Sequence, residues 1–167
     1  AAESGGGIRM QNAVVTNCVV SNNVAVLDGG GIWVPANGSG LLVDSRILGN
    51  QAGCDGGGVR GRQLRVERCL LEGNRAGRGG GAYLDGRQEI VMCRLLGNIA
   101  QTNAGGLMMG TAFKLSDCLI QSNVAVTGSA GGVYAVGPPS SGDGIVAGSR
   151  ILHNIAGDAS AGVVLGA

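Results

Sequence analysis

Few side chains in this sequence have the means to do chemistry, and their spacing decides what they are for. Four of the five cysteines, Cys18, Cys69, Cys93 and Cys118, stand five residues before an asparagine, while Cys54 falls outside that spacing and is the candidate reactive thiol. A zinc site needs clustered thiols and imidazoles. No CxxC occurs and His153 is the only histidine, so no metal is expected. Cleavage of a polysaccharide needs converging carboxylates, or acids that hold calcium beside a basic residue. The acidic pair at equivalent positions is Asp28 and Asp55, but Arg78 takes the next equivalent place, the pattern of ordinary charge pairing. No catalytic residue and no cofactor are therefore assigned, and an enzyme, a polysaccharide lyase or hydrolase, is the least favoured reading.

These residues belong to a repeat. The tripeptide N-x-A begins at Asn23, Asn50, Asn74, Asn98, Asn123 and Asn154. After each comes a triplet of small residues: Gly29-Gly30-Gly31, Gly56-Gly57-Gly58, Gly79-Gly80-Gly81, Ala104-Gly105-Gly106 and Ala130-Gly131-Gly132, with a shorter Ala161-Gly162 at the end and Gly5-Gly6-Gly7 at the start. Three residues before each Asn is an aliphatic: Val20, Ile47, Leu71, Leu95, Ile120 or Ile151. The fifth place back holds a Cys, or Ser45 or Ser149, and the eighth is aliphatic again. Spacings of two mark strand faces, and the step from eighth to fifth demands a bend. The aliphatics after the triplets also recur at spacing two.

Each unit of about 25 residues thus holds three short strands that cannot bury a core alone. The expectation is an all-β chain, a three-sided, single-stranded parallel β-helix of about six rungs, right-handed by the crossover rule and not from the residues alone, forming one domain over 1–167. Rungs start near residues 5, 29, 56, 79, 104 and 130, with a partial rung from 161. Strand copies stack at about 4.8 Å. Small triplets suit a corner with no room for a Cβ, some positions needing positive φ. The Asn column suits a ladder of amides bonded to one another and to turn backbone. In the cysteine column small size is the requirement, and free thiols are expected, because an in-register pair must also meet the disulfide torsion. One connection, from Val136 to Ile145 with Pro138, Pro139, Gly142 and Asp143, is longer than the rest.

The rung [CS]-x-[VIL]-x-x-N-x-A, followed by the glycines and an aliphatic, resembles the repeat of the chlamydial polymorphic outer membrane proteins and related bacterial surface proteins of the pectate-lyase-like superfamily. Their motifs are a glycine pair followed by small and aliphatic residues, and an aromatic-x-x-Asn. Here the column from Val20 to Ile151 has no Phe. The resemblance implies a right-handed parallel β-helix and an extracellular or cell-surface setting, and says little about activity.

Composition agrees with a packed repeat. Of 167 residues 34 are glycine, 44% are hydrophobic, 14% are charged, and the net charge is +1. The glycines lack the every-third-residue order of collagen, and the aliphatic content is too high for disorder. Neither nucleic acid nor a membrane span is expected as a partner or anchor. Seven of the eleven arginines fall between Arg60 and Arg87, and the acids beside them predict a salt-bridged face.

Outward positions are where a partner would be met. One column reads Arg9, Trp33, Arg60, Tyr83, Met108, Tyr134. It is either a binding strip for a glycan or a host or cell-surface protein, or a cover for the glycine corner. A second surface alternates Arg with Leu: Leu70 and Leu119 in one column, Leu48, Leu96 and Leu152 in the other, a checkerboard of exposed Leu expected to pack laterally against another solenoid or the rest of a longer parent chain. Neither AAESGGG nor Val163 to Ala167 reads as a cap, which predicts a segment of a longer protein or self-stacking end to end into a filament. The expected function is a non-enzymatic structural solenoid, a surface or adhesin-type scaffold segment or a fibre subunit, with a binding module as the alternative.

Overall fold

Strands of two to four residues gain stability only by stacking, and in the computed structural model, which describes residues 2–110, 112–136 and 144–166, twenty-five of them do so. Residues Pro138, Pro139, Gly142 and Asp143 of the longer connection lie outside the described residues. Every pairing is parallel and joins a strand to its copy in the next coil, giving one seven-stranded and three six-stranded sheets. Each six-stranded sheet makes five coil-to-coil steps, so the all-β parallel solenoid has about five turns, close to the six rungs expected.

The four sheets define four faces. Face 1 runs from strand Ala13–Thr16 to Ile145–Ala147. Face 2 comprises Val19–Ser21, Arg46–Leu48, Leu70–Glu72, Arg94–Leu96, Leu119–Gln121 and Arg150–Leu152. Face 3 runs from Val24–Ala25 to Ile155–Ala156, and face 4 from Ile8–Arg9 to Val163–Gly166. The sequence predicted three strands per unit. The fourth is face 3, built from the last two residues of each N-x-A, and two residues are too few to display an alternation.

The core is a set of columns. Ile32, Val59, Ala82, Leu107 and Val133 from face 4 meet Leu42, Val66, Ile90 and Leu115 from face 1 and Ile47, Leu71, Leu95 and Ile120 from face 2, all buried. Each large aliphatic contributes about 1.5–3 kcal/mol by leaving water. Face 3 adds the Ala of every N-x-A, with Ala25, Ala52, Ala76, Ala100 and Ala125 buried.

Corners fix the backbone. The residue six before each ladder Asn is left-handed in every coil, as Asn17, Asp44, Arg68, Met92, Asp117 and Gly148, with φ between 49° and 58°. The first triplet position is left-handed too, through Gly29, Gly56 and Gly79 but also Ala104, Ala130 and Ser160. The second and third positions have ordinary φ and are glycine for lack of space. A Cβ on Gly80 would lie 2.5 Å from the carbonyl oxygen of Gly105 and from Ile99 backbone in the following coil, closer than any real contact. Ala161 occupies the second position on the last coil, whose strand Val163–Gly166 is the terminal one of its sheet among the described residues.

Candidate binding face and the ladders beneath it

The asparagines form a continuous buried ladder. In each step the backbone N–H and side-chain Nδ2 of one Asn both donate to Oδ1 of the Asn in the next coil, as in Asn50 to Asn74 at 2.9 and 3.1 Å and Asn74 to Asn98 at 3.0 Å for both. Nδ2 also donates to the carbonyl three residues before the preceding Asn, as from Asn98 to Leu71 at 2.9 Å. Asn50, Asn74, Asn98 and Asn123 are fully buried, and Asn23 and Asn154 end the series. Each amide thus stitches three coils at the turn between faces 2 and 3, a structural role.

A second ladder runs through the cysteine column. Cys69, Cys93 and Cys118 are buried, Cys18 is half-buried, all are free thiols, and Cys54 is exposed. Each Sγ donates to the carbonyl two residues back, from Cys69 to Glu67 at 3.2 Å and from Cys93 to Val91 at 3.3 Å, and Ser45 and Ser149 repeat this with Oγ. The backbone N–H of Cys93 donates to Cys118 Sγ at 3.4 Å, and that of Cys118 to Ser149 Oγ at 3.1 Å. Small size was the sequence-based requirement. The column also needs a side chain that donates and accepts, which is why Ser, not Ala, alternates with Cys. Hydrogen bonding to its neighbours Cys118 and Cys69, together with burial, pushes the Cys93 thiol well above its ordinary value. That thiol is a buried, hydrogen-bonded group of the core.

On face 4 the strip is in register, Arg9 beside Trp33, Trp33 beside Arg60, Arg60 beside Tyr83, Tyr83 beside Met108 and Met108 beside Tyr134. The Arg9 guanidinium lies 4.9 Å from the Trp33 ring, and Arg60 and Arg78 lie 4.3 and 5.3 Å from the Tyr83 ring. Arg60 bonds Asp85 at 2.8 Å, and Arg78 grips Asp55 with two bonds of 2.8 and 2.9 Å. Asp28 accepts from the Asp55 backbone N–H at 3.1 Å, so the acidic pair is committed inside the protein. Arg60 Nε is buried without a hydrogen-bond partner among the described residues.

Met108 corrects one expectation: although its register is outward, it is buried, because the larger Tyr83 and Tyr134 stand on either side of it. The result is a groove of about 580 Å³ whose floor is Met108 and whose walls include Tyr83, Tyr134, Arg62, Arg78, Asp85 and Asn103. Burial raises the Tyr83 phenol above its ordinary value, so it stays a neutral hydrogen-bonding group.

Faces 1 and 2 carry further charge. On face 1, Arg65 pairs with Glu67 and Glu89, Arg68 with Asp44 and Glu67, and Lys114 with Glu89. On face 2, Arg46, Arg94 and Arg150 are exposed and have no ion pair among the described residues. Its leucines Leu48, Leu70, Leu96, Leu119 and Leu152 are half-buried, where the sequence predicted an open apolar checkerboard. Neighbours about 4.8 Å above and below cover much of each side chain.

Among the described residues no group of three His, Cys, Asp or Glu is placed to hold a metal ion, and no helix is long and apolar enough to cross a membrane. The chain matches no protein-family model, no curated protein and no solved structure.

Proposed function

We propose that this chain is a non-enzymatic extracellular β-solenoid scaffold, a segment of a bacterial surface protein, that holds a glycan on face 4. The observation that carries the reading is the groove above Met108: two tyrosines two coils apart, about 9.6 Å, leave a slot in which a sugar ring meets an aromatic face on each side. Arg62, Arg78, Asp85 and Asn103 supply polar groups at its edges for hydroxyls. Asp55 and Asp85 already accept from arginines, which favours holding a ligand over cleaving it. The rung's likeness to the polymorphic outer membrane protein repeat supports the cell-surface setting. Filling a glycan array with the purified chain tests the proposal. Binding that is lost in Tyr134→Ala and kept in Arg46→Gln on the opposite side is the expected result. No binding to any glycan, or binding indifferent to both Tyr134→Ala and Trp33→Ala, refutes it and leaves a protein partner or a purely structural segment as the function of the strip.

A further inference from the structure

The groove above Met108 has a direction. Its floor comes from a single coil, with Asn103, Met108 and Gly110 along it, and its walls come from the coils on either side: Tyr83 and Asp85 from one, Tyr134 and Val136 from the other. Register sets Met108 between the two tyrosines. Leu84, Met109 and Ala135 pair in the same way, and two positions beyond Met108 the same stacking sets Gly110 between Asp85 and Val136. Every strand pairs with its copy in the next coil, so strands run across the solenoid axis, and the slot runs across it with them. From Leu107 to Gly110 the coil advances about 10 Å at strand rise, room for two linked sugar rings and not for a longer run.

Gly110 keeps one end of the slot open. Its φ lies outside the left-handed range, so the backbone does not call for glycine, and a Cβ there would meet Asp85 Oδ1 first, at 3.0 Å. A larger side chain would stand in the slot itself. The same distance shows how Asp85 is disposed: Oδ2 is held by Arg60, while Oδ1 faces the recess with no hydrogen bond among the described residues. Arg62 lies in register beside Asp85 and also lines the groove. A free acceptor next to a donor matches two adjacent hydroxyls of one ring. At the other end Asn103 Oδ1 accepts from the Ser129 N–H at 2.9 Å, which leaves its Nδ2 to donate. Arg60 and Arg78 already hold Asp85 and Asp55, and the carboxylate oxygen at the recess repels an acidic group seated against it.

We infer that the slot takes a neutral oligosaccharide laid crosswise to the solenoid axis, two rings in contact, with adjacent hydroxyls of one ring on Asp85 and Arg62; the inference rests on the glycan reading of the groove given above. The probes are oligomers of glucose, galactose, mannose and N-acetylglucosamine, each from one ring to six, beside sialylated, uronate-containing and sulfated glycans, with affinities read by titration calorimetry. At least one neutral series is expected to bind, its affinity rising about tenfold or more from one ring to two and less than about twofold from two to six. That affinity should change less than about twofold between about 0.05 and about 0.5 M sodium chloride. Gly110→Val should lose about tenfold or more, as Tyr134→Ala does, while Trp33→Ala, three coils from Met108, keeps wild-type affinity. Far-UV circular dichroism verifies folding, and Gly110→Ala, with a loss of about threefold, replaces the valine variant if that one fails to fold. Affinity that keeps rising with every ring to six, or that falls in Trp33→Ala as it does in Tyr134→Ala, overturns the inference, because the glycan then runs along the axis. Binding confined to acidic glycans, or binding indifferent to Gly110→Val, overturns it too. In these cases a glycan is still held and only its class or direction is wrong. No binding to any probe overturns the inference together with the reading it rests on.

Discussion

Removing one amide from the middle of the Asn ladder should cost far more than removing one from its end. The Asn98 side chain takes part in four hydrogen bonds: Nδ2 to Leu71 O and Asn123 Oδ1, and Oδ1 from the Asn74 backbone N–H and Nδ2. In Asn98→Ala the Asn74 N–H loses its acceptor inside a fully buried turn, at about 1–3 kcal/mol. Asn74 Nδ2 keeps Ile47 O, and Asn123 Oδ1 keeps the Asn98 N–H, so the other lost bonds cost closer to 0.5–1.5 kcal/mol, roughly, each. The total is about 5 kcal/mol, a large part of the roughly 5–15 kcal/mol that holds a domain folded. Asn23 is half-buried and its side chain makes one hydrogen bond among the described residues, to Asn50, so Asn23→Ala should cost about 1 kcal/mol. Urea unfolding reads the difference, followed by the fluorescence of the single Trp33 and by far-UV circular dichroism, with equal slopes required of the variants. A loss in Asn98→Ala within about 1 kcal/mol of that in Asn23→Ala would refute the ladder as a major stabiliser.

Two further outcomes follow from the corners and the charge pairs. Gly80→Ala drives a Cβ into the backbone of the next coil and should cost more than about 3 kcal/mol or prevent folding, whereas Gly73→Ala, at φ 64° with open space around it, should cost about 1 kcal/mol in the same urea assay. On acidification, hydrogen bonds from Arg68 to Asp44 and from Lys114 to Glu89 hold both carboxyls below their ordinary values. Their stabilisation is present above the unfolded carboxylate pKa of about 4 and is lost as pH falls through the lower folded values. The melting temperature should therefore hold steady from neutrality to about pH 5 and drop below about pH 4, with a smaller drop in Glu89→Gln; an onset near neutrality would exclude these carboxylates as the cause.

In-register parallel stacking turns a sequence period into a spatial column, so the parts of this fold that recur in every unit were legible beforehand. The Asn ladder, the inward aliphatics, the glycine corner and the order of the face 4 strip all come from positions counted against N-x-A. Face 3 was not legible, because a two-residue strand leaves no alternation to read. The hydrogen-bonding demand of the cysteine column was written in Ser45 and Ser149, and it became clear only when their hydroxyls were seen to take the thiols' bonds.

Outward positions differ from coil to coil, and there the sequence specifies candidates while tertiary structure decides their fate. Arg60 and Arg94 are the same residue type at outward strand positions, yet Arg60 is locked between Tyr83 and Asp85 and Arg94 stands unpaired among the described residues. Met108 belongs to the outward column and is nevertheless buried between two tyrosines. Which charges cancel and which stay available depends on side-chain reach across coils 23 to 25 residues apart, a distance set by where the chain turns. Periodicity alone determined the solenoid; packing between coils determined which outward side chains are buried or paired and which are left exposed.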